Sequence, residues 1–125
     1  DDAGLSAADI GHVNAHGTST PKGDQTEIDC LRTVFGDRLA DIPVTSNKSQ
    51  IGHSLGAAAA VEAALGIEAM NRGLMLPTVN HIPDPKFSDV DVVSNQVRRH
   101  RYEHFLSNAF GFGGTNCCIV FKGVS

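Results

Sequence analysis

Three residues of the types that perform acid–base chemistry lie in two polar, glycine-flanked turns of the sequence. His16 follows a short apolar run in VNAHGTSTPKGD, and Lys48 and His53 follow a second one in SNKSQIGHSLG. Neutral imidazoles donate hydrogen bonds to an oxygen that gains negative charge, while a nearby ammonium group balances charge and orients a carboxylate. If the two turns converge, the three side chains predict chemistry on a carboxylate or a thioester.

The same residues have structural explanations. Each histidine taken alone is read as a hydrogen-bonded structural residue, and Lys48 as one half of an ion pair with Glu62 or another acid. Glu62 lies in the middle of an apolar helical stripe, so its carboxylate needs a partner. That stripe comprises Leu55, Ala58, Ala59, Leu65, Gly66 and Ala69. His53 lies at the predicted start of this helix, where free N–H groups and a partial positive charge favour the neutral imidazole.

The elements that must position these residues follow a repeated order of strand, polar turn and helix. Residues 9–15 predict a buried strand, and Thr20 is the expected N-cap of a helix with Pro21 at its first position that ends at Gly36. Residues 42–45 predict a second strand before a long helix that Gly73 closes. Open α/β sheets build sites at the carboxyl ends of their strands, so both turns are expected at one edge.

The last third of the chain predicts a loop and a hairpin. Residues 76–86 contain three prolines and read as an ordered crossing loop, and the basic run at 98–101 reads as a solvated turn. Residues 102–110 and 117–121 predict two strands joined by GFGGTN, where glycines permit a tight connection. The fold class is therefore α/β with a mixed sheet.

Composition narrows the function classes. A chain of 125 residues with a net charge of -4 fits one globular unit, gives no sign of nucleic-acid binding and has no run long enough to cross a bilayer. Cys30, Cys117 and Cys118 form no disulfide framework and read as small apolar fillers, which favours a reducing compartment, the cytoplasm or an organelle matrix. The chain opens on Asp1 rather than Met, which suggests a piece of a longer protein.

Metal and phosphate sites are disfavoured by spacing. The sequence has no CxxC and no HExxH, and GFGGTN joins two strand patterns instead of opening a helix as nucleotide loops do.

Residues 52–56, GHSLG, match the nucleophile elbow of serine hydrolases, although the preceding residues are polar and do not form the required strand. A serine esterase or thioesterase with Ser54 as nucleophile therefore stays as an alternative.

Three long motifs together resemble one family. VNAHGTSTPKGD, SNKSQIGHSLGAAAAVEA and SNAFGFGGTN closely resemble the three C-terminal motifs of β-ketoacyl synthases, the condensing enzymes of fatty-acid and polyketide synthesis. The resemblance implies a thiolase-like fold, layered α-β-α-β-α, of which residues 1–125 form the C-terminal half. It also implies that the nucleophilic Cys lies in the first half, outside this chain.

The resemblance assigns roles residue by residue. His16 and His53 resemble the two catalytic histidines, and Lys48, assigned to the catalytic set with them, resembles the lysine that precedes the second one. The other matching positions are Thr18 and Thr20 for the pantetheine arm, Phe110 and Phe112 for the acyl gate and oxyanion hole, and Glu62 for the buried acid. Ala59 stands where the family usually has Gly, which adds a methyl group to a tightly packed helix.

The resemblance also implies a reaction and partners. The activity is decarboxylative Claisen condensation of an acyl thioester with malonyl-ACP, where the substrate is carried on the phosphopantetheine of acyl carrier protein and no cofactor is covalently bound. The partners are acyl carrier protein, malonyl and acyl thioesters, the N-terminal half of the synthase and a second copy in a homodimer. A non-catalytic chain-length partner of the same fold is the remaining alternative, although such partners often lack the two histidines.

Overall fold

A mixed four-stranded sheet forms the centre of the computed structural model, which describes residues 2–124. The strands are β1 (His12–Asn14), β2 (Val44–Thr45), β5 (His104–Phe110) and β6 (Asn116–Lys122), in the order β2-β1-β5-β6. β1 runs parallel to both β2 and β5, whereas β5 and β6 form an antiparallel hairpin. The predicted α/β class and mixed sheet are confirmed.

The parallel register brings the polar turns to one edge. Asn14 pairs with Thr45 on one side and with Ser107 on the other. Because the three strands run parallel, the residues that follow them all lie at the same end of the sheet. The bridge from Val44 to Val92 adds a further parallel segment beside β2. His16, Lys48 and Phe110 therefore emerge at the same edge of the sheet, as expected where parallel strands end.

Two long helices cover the two faces of the sheet. α1 (Pro21–Phe35) begins after Thr20 and ends at Gly36, as the sequence predicts, although the Thr20 side chain makes no capping hydrogen bond. Its buried side packs on one face of the sheet, which includes Val13 of β1 and Leu106 of β5. The rest of that apolar core comprises Ile10, Ala15, Ile28, Leu31, Phe35, Leu39, Ile42, Val44 and Val90.

The second long helix, α3 (Ala58–Asn71), lies on the opposite face. Glu62 of α3 meets the side chain of Asn14, and a Cβ built on Gly66 would lie 2.6 Å from the ring of Phe105. The absence of a side chain at Gly66 thus lets the helix approach β5 closely. A shorter helix, α2 (Lys48–Ile51), precedes α3 and was not predicted, since residues 46–50 read as a loop.

The basic run at 98–101 is not simply a solvated turn. Arg98 and Arg99 form β4 (Arg98–Arg99), which pairs with β3 (Leu74–Met75) in a two-stranded ribbon after α3. The guanidinium of Arg98 also donates two hydrogen bonds to the carboxylate of Asp91, in a bidentate ion pair. A strand of two residues has no periodicity, so the sequence pattern alone could not reveal it.

Apolar side chains remain uncovered on α3 and β6. Ala58, Glu62, Gly66 and Ala69 are buried as the stripe predicts, but Leu55 is 66% exposed and Ala59 is also exposed.

The free cysteines Cys30, Cys117 and Cys118 are exposed too, so the interpretation as buried fillers is wrong for this chain. They lie on the outer side of α1 and on β6, which pairs only with β5 among the described residues. None of the described helices is long and apolar enough to span a membrane.

Candidate active site

The turn that carries His16 is held by a buried carboxylate. Oε1 of Glu27 accepts a hydrogen bond from the backbone N–H of His16 at 2.8 Å, and Oε2 accepts one from Gly17 at 2.9 Å. The side-chain amide of Asn108 donates to the same carboxylate at 3.0 Å. Glu27 is only 2% exposed, so its negative charge lies against three N–H donors and holds the backbone beneath His16 in one position.

The second histidine lies beside the first. His53 follows α2 and the sharp turn at Gly52, where φ is +75°, a conformation that glycine adopts without strain. The ring centroids of His16 and His53 are 5.6 Å apart and the ring planes are nearly perpendicular, at 86°. The convergence of the two turns that the sequence predicts is therefore confirmed.

Backbone N–H groups fix the tautomers of both imidazole rings. Nδ1 of His53 accepts from the N–H of Leu55 at 3.2 Å, and Nδ1 of His16 accepts from the N–H of Phe110 at 3.4 Å. A neutral imidazole whose Nδ1 accepts a hydrogen bond carries its proton on Nε2. Each ring therefore offers one N–H donor on its free side.

Lys48 and Glu62 form a buried ion pair beneath the histidines. Nζ of Lys48 lies 2.7 Å from Oε1 of Glu62, and the two side chains are 6% and 1% exposed. The amide of Asn14 donates to the other carboxylate oxygen at 3.0 Å. Glu62 thus has the partners that its place on an apolar stripe requires.

The electrostatic surroundings favour neutral His16. Partial burial of the ring is the main cause that lowers its pKa, and the positive charge of Lys48 lowers the pKa further. The carboxylate of Glu27 acts in the opposite direction but does not reverse the shift. A neutral ring keeps its single Nε2–H donor at physiological pH.

A cleft of about 620 Å³ opens beside these residues. Thr18, Lys48 and His53 line it, as do Val79 and Phe87 of the segment that follows β3. His16 is not among the described residues that line the cleft. No cysteine is among the described residues that line the cleft. Within residues 2–124 there is also no group of three or more His, Cys, Asp or Glu side chains arranged to hold a metal ion.

The remaining predicted residues lie around the turns. The hydroxyls of Thr18 and Thr20 are 3.4 Å apart at the start of α1. The ring of Phe110 packs against His16 with centroids 5.3 Å apart, whereas Phe112 begins the short turn between β5 and β6 and is 95% exposed. The structure therefore places Phe110 beside His16 and leaves the ring of Phe112 exposed.

The serine-hydrolase alternative lacks its scaffold. Ser54 follows helix α2 and Gly52 instead of a strand, and its φ of -85° lies outside the left-handed region. A nucleophile elbow needs a strand that runs directly into the serine and a strained turn at that residue. GHSLG is thus the connection between two helices.

Glu27 is the site residue that the sequence reasoning missed. It lies on the buried side of α1 next to Ile28 and one turn before Leu31. A carboxylate among apolar helical positions is the same signal that drew attention to Glu62. Applied to α1, that signal would have indicated a buried partner for Glu27 as well.

Comparison with known proteins shows the family of the chain. The fold places the chain in the thiolase-like ketosynthase class. A solved structure of a type II PKS acyl-carrier protein in complex with its ketosynthase superposes with a TM-score of 0.93 and 33% sequence identity, covering 99% of this chain and 30% of that chain. Residues 1–81 match the family model for the beta-ketoacyl synthase, C-terminal domain, and the chain belongs to that family.

Two curated relatives extend the match beyond residue 81. Nodulation protein E of Rhizobium meliloti is 42% identical over 124 residues, which cover 98% of this chain and 31% of that protein. The 3-oxoacyl-[acyl-carrier-protein] synthase 2 of Staphylococcus aureus is 39% identical over 123 residues, with 98% and 30% coverage. The chain thus spans slightly less than a third of the length of the relatives it matches.

Proposed function

We propose that this chain supplies the two-histidine part of the active site of a β-ketoacyl-ACP synthase. The reaction is the decarboxylative Claisen condensation of an acyl thioester with malonyl-ACP during fatty-acid or polyketide chain elongation. The observation that carries the proposal is the pair of facing imidazoles, His16 and His53, whose Nδ1 atoms both accept backbone N–H groups. Two preorganised Nε2–H donors suit an oxygen that becomes negatively charged.

The chemistry follows from these donors. The bond between C2 of the malonyl group and its carboxylate breaks, carbon dioxide leaves, and the electron pair forms a thioester enolate. The Nε2–H groups of His16 and His53 stabilise the enolate oxygen, and neither histidine transfers a proton in this step. The enolate carbon then attacks the acyl thioester on a cysteine outside this chain, whose thiolate leaves as the new carbon–carbon bond forms.

Lys48 acts on the charge balance of the site in this proposal. Its ammonium is one part of the buried pair with Glu62, and it lowers the pKa of His16. A neutral His16 offers a donor without adding a second positive charge beside the substrate. In this proposal Lys48 and Glu62 act through positioning and electrostatics, because the carboxylate of Glu62 engages the ammonium group of Lys48.

The substrate reaches this site on a carrier. In this proposal the hydroxyls of Thr18 and Thr20 bind the phosphopantetheine arm, the ring of Phe110 lines the acyl side, and Phe112 acts as a gate whose backbone N–H serves the oxyanion hole. The exposure of Phe112 and the glycines on both sides of it support a mobile gate. No covalently bound cofactor takes part.

The partners follow from the same assignment. A related ketosynthase forms a complex with its acyl-carrier protein, which supports acyl carrier protein as the donor of malonyl and acyl groups here. The N-terminal half of the synthase supplies the nucleophile, and a homodimer completes the assembly. The two histidines distinguish this proposal from a non-catalytic chain-length partner.

The test uses the full-length protein that carries this segment. His53→Ala is expected to abolish condensation and to slow decarboxylation of malonyl-ACP about a hundredfold, since the enolate loses one preorganised donor. Ser54→Ala is the matched control next to it, because only a hydrolase requires that hydroxyl as nucleophile. Wild-type rates in His53→Ala would refute the synthase assignment, and loss of activity in Ser54→Ala would favour the hydrolase.

A further inference from the structure

A third histidine, His81, lines the same cleft as His53, and the reaction described above gives it no task. It lies in the segment between β3 and β4, and its side chain is partly buried. Nδ1 of its ring lies 3.0 Å from the hydroxyl oxygen of Ser94. The protein thus engages one nitrogen of the ring, and Nε2 remains for a ligand.

The side chain of Asn95 clamps the backbone of His81. Oδ1 of Asn95 accepts from the N–H of His81 at 3.1 Å, and Nδ2 of Asn95 donates to the carbonyl of His81 at 3.0 Å. Nδ2 also donates to the hydroxyl of Ser94, which leaves the Ser94 O–H as a donor to Nδ1 of the ring. This arrangement places the proton of His81 on Nε2, so the ring is held as a hydrogen-bond donor.

The far end of the same segment is fastened to α1. Arg32 donates to the carbonyl of Lys86 at 2.9 Å and to the two carboxylate oxygens of Asp89 at 2.6 and 2.7 Å. Both ends of the segment 81–89 are therefore fixed. A wall that is fixed in advance loses little conformational freedom when a ligand binds, and a volume of about 620 Å³ lies in the range of small-molecule sites.

Three hydroxyl groups of the cleft are already used inside the protein. They belong to Ser46, Ser49 and Thr78, whose partners are backbone groups. A polar ligand needs other partners, and Nε2 of His81 offers one. The lining also includes apolar side chains from α1 and from the segment after β3. This mixture suits a flexible chain interrupted by amides, because each buried amide requires a polar partner.

The charges of the cleft favour an amide over a phosphate at this position. Asp24 and Asp84 both line the cleft. The two lysines that line it are already paired, Lys86 with Asp84 at 3.2 Å and Lys48 with Glu62 at 2.7 Å. The carboxylates repel a second anion, whereas a neutral amide carries no charge to be repelled.

We propose that His81 is a specificity-determining residue, whose Nε2–H donates to the carbonyl of the amide that lies farther from the thioester in the pantetheine arm. This inference rests on the proposed function, in which the malonyl thioester lies beside His53 and Thr18 contacts the arm. Thr18 lines the same cleft as His81, so one bound arm can meet both residues. The arm has two amides, and His81 reads the second one.

Two malonyl thioesters isolate the second amide. Malonyl-pantetheine contains both amides, and malonyl-N-acetylcysteamine contains only the one nearer the sulfur. In the full-length synthase, His81→Leu is expected to raise KM for decarboxylation of malonyl-pantetheine about three- to tenfold, with kcat within about twofold of the wild type. KM for malonyl-N-acetylcysteamine should not change. His81→Gln should recover most of the loss, because its side-chain amide also donates.

His100→Leu is the matched control. His100 is exposed and is not among the described residues that line the cleft, so both KM values should equal those of the wild type. An unchanged KM for malonyl-pantetheine in His81→Leu overturns the inference, and so does an equal rise for both thioesters. A KM in His81→Gln as high as that in His81→Leu overturns the donor role as well.

Binding of pantetheine itself separates this inference from the proposed function. Calorimetry measures that binding without any reaction, and Kd is expected to rise about three- to tenfold in His81→Leu. An unchanged Kd overturns the role of His81 alone. If His53→Ala decarboxylates both thioesters at the wild-type rate, the synthase assignment fails instead.

Discussion

Lys48 and Glu62 form an ion pair that is removed from water, with Nζ of Lys48 2.7 Å from Oε1 of Glu62. Lys48 precedes the histidine turn on α2, and Glu62 lies near the start of α3, so the pair ties the two helices together. A buried pair of this kind is weak evidence of net stabilisation, but removal of one partner leaves an uncompensated charge. Loss of one partner should therefore destabilise the protein more than replacement of both partners.

We expect Lys48→Met and Glu62→Gln each to lower the free energy of unfolding by about 3 kcal/mol. The double variant should lose less than the two single losses added together, because no unpaired charge remains. Denaturant unfolding of the full-length protein measures all three. Arg72→Met and Glu68→Gln form the matched control, since that pair is 68% and 59% exposed and should lose only a small fraction of this free energy. Additive losses at Lys48 and Glu62 would contradict the coupling.

Glu27→Gln should misplace His16. The amide keeps only one acceptor oxygen, so one of the backbone N–H groups of His16 and Gly17 loses its partner, at a cost of about 1–3 kcal/mol of stability. A shift of the turn should also lower kcat for decarboxylation by about tenfold to a hundredfold. Asp29→Asn, on the exposed side of the same helix, is expected to retain wild-type kcat. If kcat is unchanged in a folded Glu27→Gln protein, the carboxylate has no positioning role.

Much of this arrangement could be predicted from the sequence because it depends on local patterns. The proline that begins α1, the glycine that ends it and the hairpin at GFGGTN each have a short-range physical cause. The convergence of His16 and His53 followed from the rule that parallel strands end at one edge. These features require knowledge of only a few neighbouring residues.

The remaining features depend on contacts between distant segments. Glu27 reaches the backbone of His16 across 11 residues of sequence, and no residue pattern records which N–H groups are free at the end of a strand. The positive φ of Leu55 likewise could not be predicted, because leucine itself disfavours it. The exposure of Cys117 and Cys118 could not be predicted, since an apolar strand reads as buried unless the edge of the sheet is known.

His12 should make stability depend on pH. Burial of the ring, which packs against Tyr102 and Phe105, lowers its pKa to about 3 from an ordinary value of 6.5, and the charge of His100 lowers the pKa further. The ring also shares a hydrogen bond with the hydroxyl of Thr45. Above pH 6.5 the ring is neutral in both states, and below it only the unfolded chain binds the proton. The free energy of unfolding should therefore fall by up to about 1.4 kcal/mol per pH unit as the pH decreases from 6.5.

Thermal unfolding midpoints between pH 7 and pH 5 measure this dependence, in a range where most carboxylates remain ionised. His12→Gln is the comparison variant, since glutamine retains a polar group for the hydroxyl of Thr45 but does not titrate. Its midpoint should change less between the two pH values than that of the wild type. Equal pH dependence in the two proteins would show that His12 remains neutral in the unfolded chain or is protonated in the folded one.

The 125 residues on their own should not catalyse condensation. The relatives are about three times as long, and no cysteine is among the described residues that line the cleft beside His53. Without an acyl-enzyme intermediate the two histidines can at most bind or slowly decarboxylate a malonyl thioester. Val61 and Ile67 of α3 and Ile119 of β6 are each more than a third exposed, so the isolated chain should associate through these surfaces.

Size-exclusion chromatography with light scattering measures the association, and transfer from acyl and malonyl carrier substrates measures the activity. Lys substitutions at Val61 and Ile67 should reduce association, because charge on an exposed apolar face opposes its burial. Val34→Lys, at a position 60% exposed on α1 and thus on the other face of the sheet, is the matched control and should have little effect. Addition of the N-terminal part of the synthase should restore activity and disperse the assemblies. A monomeric chain that elongates an acyl substrate without that part would show that residues 1–125 contain the complete catalytic machinery.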